Sequence, residues 1–125
     1  MRTRTHIPMA LLAGLFAFAC SGGKSVSQMQ KAWKAAGLEP SQFEKTDTKL
    51  GGTCQKGSVN GVDTILCEFK DASAAKEAEP KGLELVGETT GASLAKGRML
   101  LVVADRKNAD PNGKHIQQIT KTFRQ

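Results

Sequence analysis

Hydrophobic positions recur along the chain in two rhythms, and the switches between them mark its elements. From Ser25 to Gly37 the apolar residues Val26, Met29, Trp33 and Ala36 are spaced three, four and three apart, which places them on one face of a helix. Ser25-x-x-Gln28 supplies a capping box, and Gly37 followed by Leu38 supplies a C-terminal stop. Trp33 falls in the apolar stripe and is expected in the core. From Phe43 to Leu50 two readings stand: Ser41-x-x-Glu44 can cap a short helical turn, and the Thr-rich alternation FEKTDTKL suits an edge strand guarded by lysines, which is the preferred expectation. Gly51-Gly52 then bends the chain into its most informative stretch, TCQKGSVNGVDTILCEFK, from Thr53 to Lys70.

Asn60-Gly61 sits between two strand-like runs. A type I′ turn needs positive φ at both central residues, so this dipeptide predicts a two-residue hairpin. Its register follows: Val59 faces Val62, Lys56 faces Ile65, and Cys54 faces Cys67. Counting outward from a hydrogen-bonded Val59/Val62 pair, Cys54 and Cys67 meet at a non-hydrogen-bonded position. Side chains come closest there, within reach of a disulfide. A Cys54–Cys67 bridge is therefore expected. Ile65, Cys67 and Phe69 share one face of the hairpin, which is expected to turn toward the core, with Val62 and Leu66 on the other.

Asp71 caps a second helix, ASAAKEAE, rich in alanine and able to pack closely on a sheet. Pro80 and Gly82 weaken its continuation, so Leu83 to Ala95 is expected to return as a strand, beginning near Thr89. Lys96-Gly97 turns the chain into Arg98–Asp105, RMLLVVAD. This segment is apolar at consecutive positions and reads as a central strand flanked on both sides. KNADPNG is a loop in which Asp110-Pro111 can serve as N-cap and N1. Ile116, Ile119 and Phe123 give the last helix its apolar face, with His115 beside the stripe as a surface residue.

Together these elements predict an α+β fold: a two-layer sandwich with an antiparallel sheet of four to five strands, helices packed on one face, and a disulfide-stapled hairpin. One domain over residues 25–125 accommodates all of them.

The N-terminal segment follows a different pattern. Arg2 and Arg4, with no acid, precede ten apolar residues, ALLAGLFAFA, from Ala10 to Ala19. Spanning a bilayer takes about 20 such residues. A basic start, a short apolar run and a small-residue site describe a secretory signal peptide over residues 1–19. Ala17-Phe18-Ala19 fits general signal peptidase. Ala17-Phe18-Ala19-Cys20 also resembles the lipobox of bacterial lipoprotein precursors, with Ala17 where that family carries a branched aliphatic residue and Phe18 where it carries a small one. The resemblance covers about twenty residues. It implies a diacylglyceryl group on the Cys20 thiol, cleavage before Cys20 and acylation of the new amino terminus. Residues 20–24, Cys-Ser-Gly-Gly-Lys, would then be the lipidated end and its tether. Three cysteines leave one thiol over if Cys54 and Cys67 pair, and lipid on Cys20 accounts for it. Ser21 after the cysteine implies the outer membrane, facing the periplasm. The alternative is a soluble periplasmic or secreted protein.

Composition narrows the function by exclusion. Of the formal charge of +6, Arg2 and Arg4 contribute two, and no basic run exceeds two residues. With one Trp and no Tyr, the chain lacks the clustered cations and stacking platforms that nucleic acid requires. Twelve residues separate Cys54 from Cys67, unlike a C-x-x-C redox pair, and a zinc site would need further ligands. No cofactor, metal or catalytic residue is expected. A hydrolase built from Ser93, His115 and Asp105 lacks a G-x-S-x-G signature. The expected function is a non-enzymatic envelope protein that binds a partner or supports a complex, held to the membrane by lipid on Cys20. A further alternative is a small-molecule or anionic-surface binder using Lys45, Lys49, Lys56 and Lys70 on an open sheet face.

Overall fold

The structure, a computed structural model, describes residues 25–125. The signal peptide, Cys20 and the tether expected over residues 1–24 lie outside the described residues. The element order is α1 (Val26–Ala35), β1 (Glu44–Thr46), β2 (Thr53–Val59), β3 (Val62–Glu68), α2 (Ala72–Glu77), α3 (Glu79–Val86), β4 (Gly91–Lys96), β5 (Met99–Ala104) and α4 (Lys114–Arg124). The five strands form one antiparallel sheet in the order β1-β2-β3-β5-β4.

The hairpin register is the expected one. Val59 pairs with Val62, Lys56 with Ile65 and Cys54 with Cys67. Asn60 and Gly61 both carry positive φ, 50° and 83°, which is why this dipeptide closes the turn. The two cysteines are joined, with Cα atoms 4.0 Å apart. β1 is the short edge strand expected from FEKTDTKL.

Local signals also decide α1. The Ser25 hydroxyl accepts from the Gln28 amide, and the Gln28 side chain accepts in return from the Ser25 amide. At the other end the Leu38 amide donates to the Trp33 carbonyl and the Gly37 amide to the Lys34 carbonyl, with Gly37 at φ +88°. This is a Schellman stop, and it delivers Leu38 into the core.

Helices cover both faces of the sheet, so the expected two-layer arrangement is corrected to three layers. The physical reason lies in β5, where all six residues are buried. Successive strand residues point to opposite faces. Met99, Leu101 and Val103 therefore meet α1 and α4 through Met29, Trp33, Ile116, Ile119 and Phe123. Leu100, Val102 and Ala104 join Ala78, Val86 and the disulfide beneath α2 and α3. Ile65 and Leu66 thus both reach a core, on opposite sides.

Two further expectations are corrected. Residues 83–86 are helical, and the strand starts at Gly91. Pro80 stands in the first turn of α3, where its missing amide proton has no intrahelical partner to lose. Gly82 is tolerated because the helix lies close against the sheet. A Cβ there would collide with Ser93 Oγ and lie 2.8 Å from Val102 Cγ2. α4 begins at Lys114 behind Gly113, not at Asp110-Pro111. Asp110 still serves the helix start from a distance. Its buried carboxylate accepts from the His115 amide at 3.0 Å and the Ile116 amide at 2.9 Å. Asp105, at the end of β5, accepts in turn from the amides of Ala109 and Asp110. This relay of carboxylates replaces the missing N-cap side chain. Asp110→Ala should cost about 2 kcal/mol, read as a lower urea midpoint, because one buried and one half-buried donor lose a charged acceptor.

Candidate functional site

The four helices leave one end of the α2–α3 face of the sheet open. A groove of about 410 Å³ lies there, floored by Lys56, Ser58, Asp63 and Ile65, with Glu44 and Arg106 on its sides. The strand pattern places Lys56, Asp63 and Ile65 on this face, since Lys56 pairs with Ile65 and Ser58 with Asp63. Arg106 follows β5 and is already committed. It lies 3.5 Å from the Asp63 carboxylate and donates to the Leu85 carbonyl at 2.7 Å, tying the end of α3 to β3. The groove carries both signs of charge, and its most distinctive cation is held by the protein itself.

A second groove, of about 360 Å³, lies between α1 and the segment after Pro40. Lys31 and Lys34 line it together with Ser27, Gln30, Ser41 and Gln42, and no acid contributes. The Gln30 side-chain amide donates to the Ser41 carbonyl, fixing the helix to this segment. The Ser41 hydroxyl accepts from the Ser58 amide.

The residues considered for hydrolysis are held in separate hydrogen bonds. Ser93 Oγ donates to the Glu79 carbonyl on the α3 side of the sheet. The Asp105 carboxylate holds the amides of Ala109 and Asp110. His115, half-buried rather than fully exposed, faces the hairpin turn, where Asn60 Nδ2 donates to its Nδ1 at 3.1 Å. The Asn60 amide is oriented by its other end, since Oδ1 accepts from the Glu39 amide at 2.6 Å. In the neutral ring the proton therefore sits on Nε2. The histidine acts as a latch between α4 and the turn.

The lysines considered for an anionic surface do not gather. Lys56 points to the open groove, whereas Lys45, paired with Gln55, projects from the opposite face. Lys49 lies in the β1–β2 connection near Lys81 and Leu85, and Lys70 follows β3. Among the described residues, no group of three or more His, Cys, Asp or Glu side chains is placed to hold a metal ion. No described helix is long and apolar enough to cross a membrane.

The disulfide is a buried staple. Cys67 is fully buried and Cys54 is 3% exposed, with the Thr48 hydroxyl 3.4 Å from the Cys54 sulfur. Sequence reasoning missed the α1 groove, although a Lys31/Lys34 spacing of three on a helix already puts both cations on one side. It also missed Arg106, whose partners come from β3 and α3 and are far away in sequence.

No protein-family model, curated protein or solved structure matches this chain.

Proposed function

We propose that this chain is an exported cell-envelope protein, anchored by lipid on Cys20, whose small domain binds a partner or serves a structural role rather than catalysing a reaction. The observation that carries this reading is the buried Cys54–Cys67 disulfide. Stable disulfides belong to oxidising compartments outside the cytosol. With these two sulfurs joined, Cys20 is the one remaining thiol of three, and it stands at the end of the segment resembling a lipobox. Several acyl chains on one residue make a lasting anchor, whereas a single chain binds only marginally. The non-catalytic part of the reading is supported by the separate engagement of Ser93, His115 and Asp105. The outer membrane, facing the periplasm, follows from Ser21 as the residue after the lipid.

Mass spectrometry of the mature N-terminal peptide tests the reading. The expected result is Cys20 as the first residue, carrying the mass of a diacylglyceryl group and an amide-linked acyl chain. Cys20→Ser should move the protein from the membrane fraction to the soluble fraction. A bare Cys20 at the mature terminus would overturn the anchor and leave a soluble periplasmic or secreted protein. Retention of residues 1–19 would overturn processing as well.

A further inference from the structure

We infer that the groove between α1 and the segment after Pro40 is the domain's docking surface for the anionic bilayer, with Lys31 and Lys34 taking lipid phosphates. This rests on the proposed lipid anchor. Six residue steps separate Cys20 from Val26, the first residue of α1. At full extension they span no more than about 22 Å. Lys31 and Lys34 lie one to two turns further along the helix, within about 12 Å of its start. The start of α1 thus lies closer to the anchored residue than the domain's width of about 34 Å, so this helix can reach the lipid surface.

Charge then selects the groove. Lys31 and Lys34 are both exposed, and no carboxylate lines the groove with them. Three further grooves, one on the open sheet face and two beside α2 and α3, mix signs: Glu44 and Asp63 with Lys56, Glu77 with Lys81, and Glu84 with Lys49. Two ammonium groups three residues apart on one helix face can each meet a phosphate of a neighbouring lipid. The side-chain amide of Gln42, in the same lining, offers a further donor. Juxtamembrane lysines gain affinity from an anionic surface, and the gain decays within a Debye length. The tether lets α1 reach that surface, and docking of the groove brings both ammonium groups inside that distance.

The test removes the lipid so that only the groove acts. The mature chain from Cys20, carrying Cys20→Ser, is sedimented with vesicles of phosphatidylglycerol and phosphatidylcholine at low salt. Binding should exceed that to pure phosphatidylcholine, and added salt should abolish it. Each lysine near the surface is worth about five-fold in partitioning. Lys31→Gln/Lys34→Gln should therefore lower binding about 25-fold, and the corresponding Glu pair should lower it further. Lys76→Gln/Lys107→Gln, at two exposed positions and with the same change in net charge, should stay within about three-fold of the parent. Both positions of the test pair are exposed, and a circular-dichroism melt confirms that every variant folds. Equal losses in the two Gln pairs would overturn the inference in favour of diffuse charge. An absence of phosphatidylglycerol dependence would overturn it outright. Because no lipid is attached in this experiment, its failure is separable from a bare Cys20 in the mass spectrum.

Discussion

Trp33→Ala should remove about 3–5 kcal/mol of stability, the largest loss expected from any single substitution in this domain. Domains of this size carry about 5–15 kcal/mol in total, so the variant should lose a large share of its stability. The indole is fully buried in the layer under α1 and α4. Its ring stacks on Phe43, centroids 6.2 Å apart, and Nε1 donates to the Ile119 carbonyl at 3.1 Å. Truncation therefore opens a cavity between two helices and the sheet, and it removes the bond that fixes α1 to α4. Urea denaturation followed by circular dichroism measures the loss without needing the tryptophan signal. Trp33→Phe separates the contributions. It restores most of the volume but not the hydrogen bond, and should recover all but about 1–2 kcal/mol. A loss below about 1 kcal/mol for the alanine variant would contradict the core role.

Cys54→Ser/Cys67→Ser should cost about 3 kcal/mol, since the bridge closes a loop of 14 residues, 54 through 67. The replaced positions are buried beside Leu50, Leu100 and Ala78, so the two hydroxyls add a further penalty of burial. The register itself should survive, because the turn at Asn60-Gly61 and the cross-strand pairs on both sides of it also specify it. Circular dichroism of the variant should keep the strand signal while the urea midpoint falls. If the proposed export is right, it should continue in this variant, because a signal peptide is read from the N-terminal segment. A variant as stable as the parent under oxidising conditions would show that the staple contributes nothing.

The parts of the fold legible in the sequence were those set by short-range geometry. Asn60-Gly61 determined a register that spans seven residue pairs, because only such a dipeptide meets the φ requirement at both positions. Ser25, Gln28 and Gly37 bounded α1 for the same kind of local reason. RMLLVVAD announced a strand with two covered faces, yet the helices were still assigned to one side. Which face a helix takes depends on contacts far apart in sequence, such as Ala78 and Val86 against Leu100 and Val102. α3 is masked in the sequence because Pro80 and Gly82 are breakers within a helix. Their positions, one in the first turn and the other against the sheet, make them harmless. Adjacency to Pro111 suggests an N-cap at Asp110, whereas its carboxylate reaches amides five and six residues on. At the candidate sites, the cysteine pairing was legible because it is a property of one hairpin. The all-cationic groove was not, because it forms only where α1 meets the segment after Pro40.

Glu79 has a consequence for life at high local concentration. β4 lies at one end of the sheet, and its outward-facing amide at Ala95 is taken by the Glu79 carboxylate at 2.6 Å. The opposite border, β1, is three residues long and carries Lys45. A sheet so bounded offers little template for a neighbour's backbone to extend. Molecules brought close together can therefore stay separate instead of polymerising through their borders.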